Sequence, residues 1–175
     1  MELIDILDED GRKTGIAKAK EVAHKEGLWH RGAHVWVINS QGEILIQHRS
    51  PNMENYPDRW DISVAGHLSR GEDSIAGALR EVKEEIGLDL AASSLEFLGT
   101  TKRQAVLNNE TYFDNEFCDI YLVKLDLDID KFKKQVEEVS DLRWIKIVDL
   151  KERVRANDPS LVPHPEEFEI LFKKI

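Results

Sequence analysis

Short runs of β-branched and apolar residues recur along this chain between turn-forming clusters, and the pattern predicts short strands broken by turns. Residues 3–7, the turn-forming Asp8-Glu9-Asp10-Gly11 and residues 13–19 predict an N-terminal hairpin. Residues 34–39 and 43–48, joined by Asn39-Ser40-Gln41-Gly42, predict a second one. Further strands are expected at 60–65, 95–103, 116–124 and 142–147, with helical patterns at 129–138, 148–155 and 165–174. Such a mixture predicts an α/β (α+β) sandwich with a mixed sheet between helices. No repeat, low-complexity run or Gly/Ser/Pro-rich linker interrupts it, so residues 1–175 read as a single domain with an N-terminal hairpin and C-terminal helices.

One segment breaks the strand pattern. Residues 66–88, GHLSRGEDSIAGALREVKEEIGL, hold a helix with Asp73 or Ser74 to cap its start and Gly87 to end it in the left-handed conformation. At about 100° per residue, Ile75, Leu79, Val82 and Ile86 form one stripe, expected to pack, and Glu81, Glu84 and Glu85 gather on the far side. Like charges at such spacing destabilise a helix by roughly 0.2–0.5 kcal/mol per pair. Arg80 can offset that repulsion, and a bound Mg²⁺ or Mn²⁺ would turn it into coordination, because hard cations prefer oxygen ligands. Glu72, at the junction of loop and helix, is placed to reach the same ion.

Bulk properties narrow the range of partners. The 41% of hydrophobic residues suffices for one substantial core. A formal charge of −10 gives no basic footprint for a nucleic-acid polymer, so a phosphorylated substrate needs local cations or a metal to meet it. No apolar run approaches the roughly 20 residues that span a bilayer, and the start MELIDILDED lacks the basic-then-apolar order of a secretory signal. Cys118 is the one cysteine, which excludes an intrachain disulfide. In its strand pattern it reads as core, and the cytoplasm is the expected compartment.

Gly66, Glu72, Arg80, Glu81, Val82, Glu84, Glu85, Gly87 and Leu88 follow a fixed spacing that resembles the Nudix box at every defined position. The resemblance implies a Nudix-type β-α-β sandwich. It also implies a divalent-metal-dependent hydrolase in which water attacks a diphosphate linkage in a nucleoside diphosphate derivative or similar small molecule. Carried over position by position, Glu84 and Glu85 are metal ligands, with the Gly66 carbonyl and Glu81 as further candidates. Arg80 orients carboxylates. The base is either Glu81 or a carboxylate outside the box, for which Glu138 is the first candidate and Glu137 the second. A homodimer is common in the family, which makes a second copy of the chain a candidate partner.

Around the box, Arg49-Ser50-Pro51, Tyr56-Pro57-Asp58-Arg59-Trp60 and Ser63-Val64-Ala65-Gly66-His67 are similar to isopentenyl diphosphate isomerase and to the hydrolases of its sequence type. The isomerase places a cysteine where this chain has Ala65, and alanine has no proton to give or take. Its metal-binding pattern of histidines and acids partly survives as His24, His30 and His67 with Asp114 and Glu116. A non-catalytic ligand-binding module is the third reading, against which the intact box speaks. Arg49, Lys102 and Arg103 are candidates to meet phosphates; Trp36, Trp60 and Tyr112 are candidates to stack on a base.

Overall fold

The computed structural model describes residues 2–175. Its main sheet runs in the order β5 (Trp60–Asp61), β4 (Glu43–Arg49), β3 (His30–Ile38), β8 (Tyr112–Lys124), β7 (Glu96–Leu107), with β6 (Val64–His67) also paired to β3 and β9 (Val139–Lys146) to β4. β3 and β8 run parallel and the other pairs are antiparallel, so the sheet is mixed. β1 (Leu3–Leu7) and β2 (Lys13–Ala19) form a separate hairpin.

Alternation along β3 distributes its side chains to two cores. Ala33, Val35 and Val37 pack with Ala78, Val82 and Ile86 of helix α2 (Ser74–Ile86). Trp36 points the other way, with Ile44, Ile46 and Ile120, toward Leu150 of α3 (Ile147–Arg155) and Phe168 and Leu171 of α4 (Pro165–Lys174). Helices therefore cover both faces, as expected, and fully burying a side chain such as Val82 contributes about 1.5–3 kcal/mol. This placement presents the carboxy-terminal half of α2, with Glu81 and Glu85, to β6 and packs Val82 and Ile86 on the middle of β3.

Several boundaries differ from the sequence pattern. The strand expected at 60–65 is two short strands, and a short helix, α1 (Lys20–Glu26), follows the first hairpin where the pattern shows none. Residues 129–138 are not a helix: only Ile129–Lys131 make a 3₁₀ turn. The amides of Lys133 and Gln135 instead donate to the carbonyls of Ile86 and Glu85, satisfying the end of α2 rather than building their own ladder. The apolar stripe of α2 is also displaced. Ile75 is 42% exposed, and the buried face comprises Gly77, Ala78, Val82 and Ile86 together with two glutamates, Glu81 and Glu85.

Candidate active site

Helix α2 starts where Asp73 accepts a hydrogen bond from the amide of Ala76 at 2.9 Å and ends at Gly87, whose φ of +73° suits glycine. Between those caps, Glu81 and Glu85 are buried and Glu84 is exposed. Burial pushes the Glu81 carboxyl up to about 7, against the pull of Arg80. Burial, with Glu81 and Glu138 nearby, pushes Glu85 well above the usual range. Holding such carboxylates next to one another is unfavourable until a cation joins them.

Arg80 organises the cluster. Its Nε and Nη2 each lie 3.0 Å from an oxygen of Glu72, its Nη1 donates to Glu81 at 2.7 Å and Glu84 at 3.1 Å, and its Nη2 also reaches the His67 carbonyl at 2.8 Å. The bond to Glu72 is the main reason its already high pKa rises further. Glu72 is thereby committed: Arg80 holds both its oxygens and the Ser69 amide holds one, so it braces Arg80 rather than reaching toward an ion. Glu85 accepts from Gln47 at 3.1 Å and from the Ala65 amide at 3.3 Å through one oxygen. Among the described residues, Glu81, Glu84 and Glu85 each keep one oxygen without a hydrogen-bond partner. This donor set fits a hard divalent ion, although the three carboxylates are not gathered within 4.8 Å of one another. Gly66 touches the same cluster: a Cβ there would stand 1.9 Å from the Glu81 carboxyl carbon.

A cavity of about 460 Å³ opens beside this face of the helix and is lined by Gly66, Arg80, Glu81, Glu84 and Glu138. Glu138 is half-buried and held through one oxygen by Gln135 at 3.1 Å, whereas Glu137 is exposed and does not line the cavity. Arg49 and Arg103 also line it. Lys102 does not. Neighbouring residues on a strand point to opposite faces, so its ammonium donates to the Glu9 carbonyl and sits 4.5 Å above the Trp29 ring. The stacking candidates divide similarly. Trp36 is buried with its indole N–H on Glu167, and Trp60 packs against His48 and Arg143, while Tyr112 lines the cavity but lies stacked on His24.

The three histidines left open by the sequence come together. His24, His30 and His67 place ring nitrogens within 4.8 Å of one another, and Glu116 lies 3.6 Å from His67. Burial lowers all three, His24 to about 4, so they are neutral and ready to ligate. His30 Nε2 is buried without a hydrogen-bond partner, a cost that a bound cation would remove.

Comparison with known proteins gives the family and agrees with the fold. The family model described as NUDIX domain matches residues 28–164, from just before β3 to the start of α4. The chain belongs to the Nudix family. Nudix hydrolase 3 of Arabidopsis thaliana is 34% identical over 166 residues, covering 93% of this chain but only 22% of that longer protein. An isopentenyl-diphosphate Delta-isomerase of Serratia proteamaculans is 28% identical over 174 residues, 99% of this chain and 89% of its own. A crystal structure of a Deinococcus radiodurans protein superposes with a TM-score of 0.73 at 20% identity, covering 97% of each chain, which places the fold.

Beyond the Nudix helix, the cavity wall holds His34, Asp61 and His164, with Glu167 behind them, and the sequence pattern does not single these out. Their only signal is polarity inside apolar runs: His34 opens HVWVI in a buried strand, and Glu167 adjoins Phe168 on the inner side of α4.

Proposed function

We propose that this Nudix protein is a divalent-metal-dependent hydrolase that cleaves a diphosphate linkage in a nucleoside diphosphate derivative or a similarly small phosphorylated molecule. The observation that carries the reading is the set of three helix glutamates, each with one uncommitted oxygen, of which Glu81 and Glu84 line a cavity of about 460 Å³ that Arg49 and Arg103 also line. Glu81, Glu84, Glu85 and the Gly66 carbonyl are the residues to hold Mg²⁺ or Mn²⁺, which when bound supplies charge neutralisation at phosphorus and acidifies water. Glu138, outside that set and with one oxygen free, is the base: it takes the proton from water as the new P–O bond forms and the anhydride P–O bond breaks. Arg80 holds the carboxylates in register. Turnover of a panel of nucleoside diphosphates and triphosphates, sugar nucleotides and coenzyme diphosphates tests the reading, and absence of phosphate or pyrophosphate release from every member would sink it.

Metal binding should also report on protonation. Because Glu81 titrates near 7, Glu85 is also held well above the usual range, and both ligate only when ionised, Mn²⁺ binding should strengthen as pH rises, by about tenfold or more per unit below 7. Isothermal titration in two buffers should show proton release, and Glu81→Gln should make the dependence shallower while Glu85 keeps part of it. An equal slope in the variant would remove Glu81 from the ligand set.

The gathered histidines favour a second reading, an isomerase-like enzyme acting on isopentenyl diphosphate with His24, His30, His67 and Glu116 around the ion. Ala65 argues against it. Ala65→Cys is expected to create no isomerisation of isopentenyl diphosphate, followed by proton NMR; isomerisation above the wild-type background would restore this reading.

A further inference from the structure

His34 stands in the middle of β3 directly opposite Ala65 of β6, on the wall of the cavity that also carries Gly66 and Glu116. Its ring is nearly inaccessible, at 6% exposure. Nδ1 lies 2.7 Å from one oxygen of Glu167, and the other oxygen of Glu167 accepts the Trp36 indole N–H at 2.7 Å. A carboxylate fixed at one ring nitrogen sets the orientation of an imidazole and presents the other nitrogen in a defined direction. Burial alone would favour a neutral ring, but the Glu167 contact, with Glu116 and Asp61 nearby, outweighs it and favours the protonated form.

The other candidate donors lining the cavity near it are already committed. His164 has its Nε2 2.7 Å from Asp61 and its Nδ1 3.4 Å from Arg103. Arg49 donates to Asp61 at 3.0 Å and to the Asn55 carbonyl; Arg103 pairs with Asp114 at 3.4 Å; Arg80 is shared among three glutamates. By contrast, His34 Nε2 makes no hydrogen bond to any described residue. The protein has therefore built a buried imidazole, braced it from a helix 133 positions later in the chain, and left its outer nitrogen unpartnered in a side chain that lines the cavity, with Glu116 and Cys118 within 4.8 Å of a ring nitrogen.

We propose that His34 is a substrate-contacting residue whose Nε2–H donates to a phosphate oxygen of the diphosphate, in the cavity that Glu81 and Glu84 also line, and that Glu167 is the positioning residue that aims it. The proposal shares with the hydrolase reading only the presence of a diphosphate. It assigns α4 a part in the site beyond closing the fold, and it puts an imidazole donor beside the position where the isomerase type has its cysteine.

The test uses the full chain with imidodiphosphate, a diphosphate whose bridging nitrogen resists hydrolysis, in the presence of Mg²⁺. Histidine-selective ¹⁵N labelling, with His34 assigned from the spectrum of His34→Gln, should show the His34 ring resonance shift as imidodiphosphate is added. Affinity by calorimetry should weaken about tenfold or more in His34→Gln, as expected for loss of a charge-assisted hydrogen bond. Glu167→Gln, which keeps an acceptor but not the charge, should weaken it in the same direction by less. An unmoved His34 resonance in the wild-type protein overturns the proposal even if the variant fails to fold. So does unchanged affinity in a folded His34→Gln, which would leave the pair as an anchor of α4 only, and so does failure of imidodiphosphate to bind. None of these outcomes touches turnover of the substrate panel, so the hydrolase reading stands or falls separately.

Discussion

Glu84→Gln should lower kcat by about 10³-fold while leaving the protein folded. A divalent ion stabilises transition-state charge by several kcal/mol, each 1.4 kcal/mol being a factor of ten in rate, and removing one charged ligand forfeits most of that. The fold should tolerate the change because Glu84 is exposed, and surface substitutions usually stay within about 0.5 kcal/mol. Glutamine keeps the shape and an acceptor for Arg80, so the loss isolates the charge at this position. Steady-state turnover at saturating Mg²⁺ with a thermal melt alongside checks both halves. A fall of less than tenfold would take Glu84 out of the metal set.

Gly66→Ala should be the second most damaging change, and it should act on both stability and rate. The new methyl would stand 1.9 Å from the Glu81 carboxyl carbon and 2.1 Å from the oxygen that accepts Arg80. Glu81 must turn away and break that bond, because the β3–β6 pairing of Gly66 with Ala33 leaves the backbone no room to retreat. Overpacking of this kind costs about 1–3 kcal/mol. Displacing a catalytic group by about 1 Å costs on the order of 10² in rate. Turnover and denaturant midpoint measured together test this, and wild-type kcat in the Gly66→Ala protein would show that Glu81 does not need its present position.

The elements that are legible in the sequence are those whose neighbours in space are also neighbours in the chain. The first hairpin carries its turn between its strands, and α2 carries its own caps in Asp73 and Gly87, so both appear where the pattern puts them. Residues 129–138 have helical periodicity, yet their amides are used by the carbonyl end of α2, some fifty positions earlier, and no local pattern contains that demand. The same distinction runs through the site. Arg80 and its glutamates lie within one helix and its lead-in loop and are readable from spacing alone. Lys102 and Arg103 look equivalent in the sequence, but the pleat of β7 sends one to the Trp29 ring and the other to the cavity. His34 and Glu167, in hydrogen-bond contact from 133 residues apart, share no local pattern, and only the folding of α4 onto the sheet brings them together.

Phosphate release by metal-stripped protein, before and after addition of Mg²⁺ or Mn²⁺, with Glu84→Gln carried in parallel through the substrate panel, tests the central claim most directly. The expected result is no release without the ion, release restored by it for at least one diphosphate, and none of that restoration in the variant. Release that persists in chelator, or that returns equally in Glu84→Gln, would contradict the metal-dependent hydrolase.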